Sequence, residues 1–84
     1  MQVWKYTFGP GSNVKGMPDQ ARVLHVAMQG SNLCGWFEVD PDNACVTRMF
    51  EVVGTGQDIP DLSHHCGTAL APPLVWHLYE VQRA

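Results

Sequence analysis

The chain has 84 residues and a formal net charge of −3, with five Lys or Arg against eight Asp or Glu. That length holds one domain, spanning 1–84, whose thin core must be built from a few large side chains. Lys5, Lys15, Arg22, Arg48 and Arg83 are scattered, so no basic stripe exists to neutralise a phosphate backbone, and nucleic acid is not expected as a partner.

Three cysteines, Cys34, Cys45 and Cys66, without a CxxC spacing do not form a disulfide framework, which favours a reducing compartment. Met1 leads directly into an aromatic alternating pattern, so no signal peptide is expected. No apolar run approaches the roughly 20 residues of a membrane span.

Along the chain, Val3 to Phe8 alternates, placing Trp4, Tyr6 and Phe8 on one inward face. Residues 9–19 contain three Gly and two Pro and are predicted as a loop. Arg22 to Gln29 admits a helix capped by Asp19, but a strand with Leu24, Val26 and Met28 inward fits better. Gly30-Ser31-Asn32 is suitable hairpin-turn chemistry, and Leu33 to Val39 is the natural partner strand.

Asp40-Pro41-Asp42-Asn43 reads as a turn. Cys45 to Val53 is a fourth strand, with Val46, Arg48, Phe50 and Val52 sharing a face, and Gly54-Thr55-Gly56 stops it. After a polar loop, His65 to Leu70 forms a short fifth strand. Leu74 to Val81, following Pro72-Pro73, is predicted as a sixth, in preference to a helix, with apolar residues on both faces. The expected fold is all-β: about six antiparallel strands in a small sandwich or barrel.

Several residues carry candidate chemistry. Two glycines flank Thr55, and the Gly54-Thr55-Gly56 backbone can form an anion-holding nest, although the P-loop lysine and a following helix are missing; the plainer reading is a tight bend. His64 and Cys66 share a strand face and are good zinc ligands, with His65 turned away. A closed site needs further ligands from His25, His77, Cys34 or Cys45, none of which has ligand spacing, so no metal and no cofactor are expected.

His77 could act as a general base oriented by Asp58 or Asp61, with Ser12, Ser31 or Ser63 as nucleophile, but no nucleophile motif supports it, and a hydrogen-bonded structural histidine is the plainer role. Trp4, Trp36, Trp76 and Tyr79 are candidate interface anchors to the extent that they are exposed. Asp40, Asp42, Asp58 and Asp61 are either turn formers or an acidic surface for a basic partner.

The order and spacing of short motifs also carry a resemblance. Trp4-Lys5-Tyr6, Met17-Pro18, Ala21-Arg22-Val23-Leu24-His25-Val26 and Val39-Asp40-Pro41 are followed by Phe50, Val52, Gly54-Thr55-Gly56, Ile59-Pro60, Gly67-Thr68 and Val75-x-His77-x-x-Glu80. Over most of its length the chain thus resembles a family of small, uncharacterised bacteriophage and prophage proteins. His64-His65-Cys66 and Ala71-Pro72-Pro73 depart from the family pattern. The resemblance implies phage origin and action in the host bacterial cytoplasm, but no activity.

The expected function is therefore a non-enzymatic interaction protein that binds and blocks a host protein, plausibly a defence component, with Trp36, Trp76, Tyr79, Asp58 and Asp61 as candidate contacts. The alternative is a binder that sequesters a phosphate-bearing nucleotide at Gly54, Thr55, Gly56, His64 and His65. Exposed strand edges also allow a homo-oligomer.

Overall fold

The computed structural model describes residues 1–82. Seven strands form two antiparallel sheets: β1 (Gln2–Phe8), β2 (Gly11–Pro18), β3 (Arg22–Gln29), β4 (Asn32–Val39), β5 (Cys45–Gly54), β6 (Ser63–Ala71) and β7 (Leu74–Val81). One sheet has the order β1-β4-β3 and the other β2-β5-β7-β6. The fold is a sandwich, not a closed barrel, and the helices considered for 22–29 and 74–81 are both strands. No helix of the described residues is long and apolar enough to cross a membrane.

The core lies between the sheets and follows the two-residue alternation. Phe8, Val26, Leu33, Phe37, Val39, Phe50, Val52, Ala69 and Leu78 are buried together. Phe37 is its centre, meeting Tyr6 edge-on at 5.4 Å and Phe50 at 5.9 Å between ring centroids. Trp4 shares the inward face of β1 but lies at the rim, 37% exposed.

Two sequence expectations are corrected. Residues 9–19 are not all loop: Gly11–Pro18 is a strand, paired with β5 from Gly11↔Val52 to Pro18↔Cys45. It is an edge strand, bonded on one side only, where Gly and Pro cost little because half of the backbone groups need no partner in the sheet. Its pairing brings the total to seven strands rather than six.

The second correction concerns Leu24, expected inward but 43% exposed. The register slips between Val23 and His25, so that Val23 faces Phe37 and His25 faces Trp36. A bulge inserts one residue and reverses the facing of what precedes it. Val23 therefore packs against the core in place of Leu24.

Gly67 fixes how closely the sheets approach. A Cβ placed there would lie 2.5 Å from the Cβ and one methyl of Val26 on β3. Only a residue without a side chain lets β6 come that near to the opposite sheet.

Candidate functional site

β5 and β6 both lie antiparallel to β7, one on each side, so they run parallel to each other. The connection 55–62 must therefore travel back along the length of β7. It crosses the outer face of the four-stranded sheet, where it leaves Val53 only 5% exposed. Val53, Thr55, Ile59, His77 and Tyr79 line a hollow of about 200 Å³ beneath this strap.

The strap is pegged by His77. Thr55 Oγ1 lies 2.9 Å from His77 Nε2, and Thr68 Oγ1 lies 2.9 Å from His77 Nδ1. Thr68 Oγ1 is also 2.8 Å from His65 Nε2, so one hydroxyl serves two imidazoles. A neutral imidazole donates from one nitrogen and accepts at the other, and a hydroxyl does both, so the chain Thr55–His77–Thr68–His65 is satisfied with either polarity. His77 thus makes its hydrogen bonds to threonines, not to Asp58, Asp61 or a serine. Ser12 is within 3.2 Å of Glu51, and Ser63 donates to the Pro60 carbonyl.

The Gly54-Thr55-Gly56 bend is a closed turn. Gln57 Oε1 accepts the Gly54 N–H at 2.6 Å, and the Gln57 N–H donates to the Gly54 carbonyl at 3.0 Å. Gly56 has φ +94°, which explains glycine at that position.

Beside this turn stands Trp76. Its side chain points between the sheets at the start of β7, packs against the core and remains partly exposed. Three adjoining clefts meet at its indole. One of about 530 Å³ includes Pro10, Glu51, Gly56 and Asp58; a second of about 430 Å³ includes Thr55, Pro73, Leu74 and Val75; a third of about 150 Å³ reaches Phe8, Met28 and Ser31. Leu74 is 53% exposed there. Two carboxylates, Glu51 and Asp58, line the first of these clefts, and among the described residues no Lys or Arg lines any of the three.

At the other end of β7 the inward residue is Glu80, part-buried in an ion pair. Arg48 Nε donates to Glu80 Oε2 at 2.6 Å and Arg48 Nη2 to Oε1 at 2.7 Å, while Nη1 donates to the Ala21 carbonyl at 2.5 Å. The guanidinium also lies 5.8 Å from the Phe50 ring centre and 6.0 Å from that of Phe37. The hydrogen bonds to Glu80 push the Arg48 pKa up despite its partial burial, so this end is closed by a firmly charged plug.

The sequence candidates are therefore distributed over five places. Gly54, Thr55, Gly56, Asp58 and Trp76 gather at one end of the sandwich. His65 and Tyr79 lie on the outer face of the four-stranded sheet, 5.3 Å apart between ring centres. His64 is on the opposite side of its strand from His65, 3.5 Å from Glu80 at the far end, so it does not join the Gly54–Gly56 turn. Trp36 is on the other sheet, between Lys5 and His25 in register. Asp61 is exposed on the strap.

Two features escaped sequence reasoning. Glu80 and Arg48 are 32 residues apart, and only the β5–β7 pairing brings them together. A charged residue at an inward position, Arg48 between Val46 and Phe50, was the one available signal. The Thr55–His77–Thr68 chain depends on the strap's path, which no local pattern encodes.

Comparison with curated proteins and with solved structures returns no match. The model of a domain of unknown function, DUF7352, matches residues 1–84. The chain, an all-β sandwich in which a strap and an open aromatic end are arranged around one central strand, belongs to the DUF7352 family.

Proposed function

We propose that this domain is a phage-encoded, non-catalytic binding protein that acts in the host bacterial cytoplasm by docking on a host protein, such as a defence component, and blocking it. The docking surface in this reading is the Trp76 end. The observation that carries it is the part-exposed indole at the meeting of three clefts, beside exposed Leu74 and within an acidic rim. A buried-edge aromatic beside an exposed aliphatic side chain is the composition of an interface anchor.

Charge selects the partner. Glu51 and Asp58 without a lining cation favour a segment that presents Lys or Arg next to an apolar side chain. The same charge pattern disfavours a phosphate-bearing nucleotide, as does the Gln57 side-chain Oε1 already seated on the Gly54 N–H. Phage origin and the host target rest on the sequence resemblance; the docking surface rests on geometry.

The test is affinity capture from host lysate with the wild-type protein, Leu74→Asp and Val3→Asp, the last altering an exposed residue on the other sheet. A protein retained by wild type and Val3→Asp but released by Leu74→Asp is expected. Capture that is indifferent to Leu74 would contradict the surface. A thermal shift with cyclic or ADP-ribose nucleotides, in the absence of protein capture, would favour the nucleotide reading instead.

A further inference from the structure

Outside the Trp76 end, one group of side chains among the described residues has ligand chemistry and convergent geometry. His64, Cys66 and Glu80 each offer one donor atom, and the three donors lie within 4.8 Å of one another. The β6–β7 register explains the convergence. His64 pairs with Glu80, and the register then slips between His65 and Gly67. Cys66 is the inserted residue of that bulge and packs against the core, so its sulfur is turned to the same side as its neighbours His64 and Glu80. A regular strand would instead have set Cys66 opposite Leu78.

We propose that His64 Nε2, Cys66 Sγ and Glu80 Oε1 form a site for a borderline-soft divalent cation, of which Zn²⁺ is the natural occupant, with its fourth position open. One imidazole, one sulfur and one carboxylate oxygen match zinc preferences and suit neither Mg²⁺ nor Ca²⁺, which take all-oxygen shells. Tetrahedral zinc bonds of about 2.0–2.3 Å place ligands roughly 3.3–3.8 Å apart. His64 Nε2 and Glu80 Oε1 are already 3.5 Å apart. The other donor separations are at most 4.8 Å, and the His64 side chain, 68% exposed, is the least confined of the three.

Arg48 is compatible with this arrangement. Its Nε holds Oε2, the oxygen not offered to the metal, and its Nη1 holds the Ala21 carbonyl; only the Nη2 contact to Oε1 must lengthen. The guanidinium then orients the ligating carboxylate from behind, as outer partners of metal ligands do. His64 and Glu80 also line a cleft of about 310 Å³, with Arg48, Thr47, Met49, Val81 and Gln82, which has room for water or an exogenous donor beside two of the three ligands.

Proton balance follows from the sulfur. A cysteine thiol is protonated at pH 7, whereas the sulfur that binds zinc is the thiolate. Binding replaces that proton with the metal ion and releases it to solvent, so apparent affinity rises with pH.

Co²⁺ serves as the probe, since a cobalt–thiolate bond has a near-ultraviolet charge-transfer band that imidazole and carboxylate ligation lack. Titration of the full chain is expected to produce that band together with tetrahedral ligand-field bands, and excess Zn²⁺ to bleach both. Cys66→Ser should abolish the charge-transfer band. His64→Ala, a change at an exposed position that leaves folding intact, should weaken binding on the order of tenfold or more. Cys45→Ser, which removes the exposed thiol, should change nothing. Absence of the band in the wild-type protein, its survival in Cys66→Ser, or full affinity in His64→Ala would each overturn the site.

Discussion

Trp76 and Glu80 occupy equivalent positions. Both point inward from β7, four residues apart, one at each end of the same core, with Leu78 fully buried between them. Yet the two ends are finished differently. At Glu80 the gap between the sheets is closed by a bidentate ion pair that also reaches the Ala21 carbonyl and lies near two phenyl rings, and a cleft of about 310 Å³ lies outside that pair. At Trp76 the gap ends in an indole, a capped glycine turn and open clefts, with carboxylates on the rim and no cation among the lining residues. An inward position on a strand therefore decides only where a side chain starts. What lies across from it decides whether the gap between the sheets ends in a charged pair or in an indole.

The largest effect is expected at the sealed end. Glu80→Ala strands a part-buried guanidinium and should lower unfolding free energy by about 3 kcal/mol, measured by urea denaturation. Replacing both partners, Arg48→Met with Glu80→Leu, should recover most of that loss, because removing both charges also removes the cost of burying them. Recovery no better than in the single variant would mean that the Ala21 contact, not the ion pair, closes this end.

Gly67, opposite Leu78 and midway between the ends, tests the spacing of the sheets. Gly67→Ala sets a methyl against Val26 and is expected to cost about 2 kcal/mol through overpacking. Val26→Ala in the same chain should restore little of it, because alanine keeps the Cβ that lies 2.5 Å from the new methyl. A neutral Gly67→Ala would show that the sheets can separate freely, which would weaken the contrast between a rigid end and an open one.

A smaller effect belongs to the strap. Thr55→Val removes one hydroxyl from His77 and should cost roughly 0.5–1 kcal/mol, with faster proteolysis between residues 55 and 62 as the more sensitive readout.

The smallest effect is a matter of pH. The Cys66 thiol is raised in the folded chain by burial and then by Glu80, so the folded protein holds this proton more tightly than the unfolded chain does. Its contribution is fully present below the ordinary thiol pKa of about 9 and is lost as pH rises through about 11. Alkylation at pH 8 should accordingly modify exposed Cys45 well before Cys66.

Most of the architecture was legible because aromatic and β-branched residues alternate in β1 and β5, where one face meets the core, and because β4 and β7 are short apolar runs bounded by turn residues. β2 was not, because an edge strand needs few apolar residues and tolerates Gly and Pro. Leu24 was misplaced because a bulge breaks the alternation without a local sequence mark. Gly54, Thr55, Gly56, Asp58 and Trp76 were each singled out from sequence, but their meeting at one end depends on strand order. Tying His64 to Glu80 rather than to the Gly54–Gly56 turn required the β6–β7 register, which is a long-range property.

The claim that partner contact is made at the Trp76 end is tested most directly by mapping backbone amide shifts of the labelled domain on addition of the host protein whose capture depends on Leu74. Shifts concentrated in residues 54–58 and 73–76, with the Arg48–Glu80 end unperturbed, are expected. Shifts centred instead on Lys5, His25 and Trp36, across the outer face of the other sheet, would contradict it.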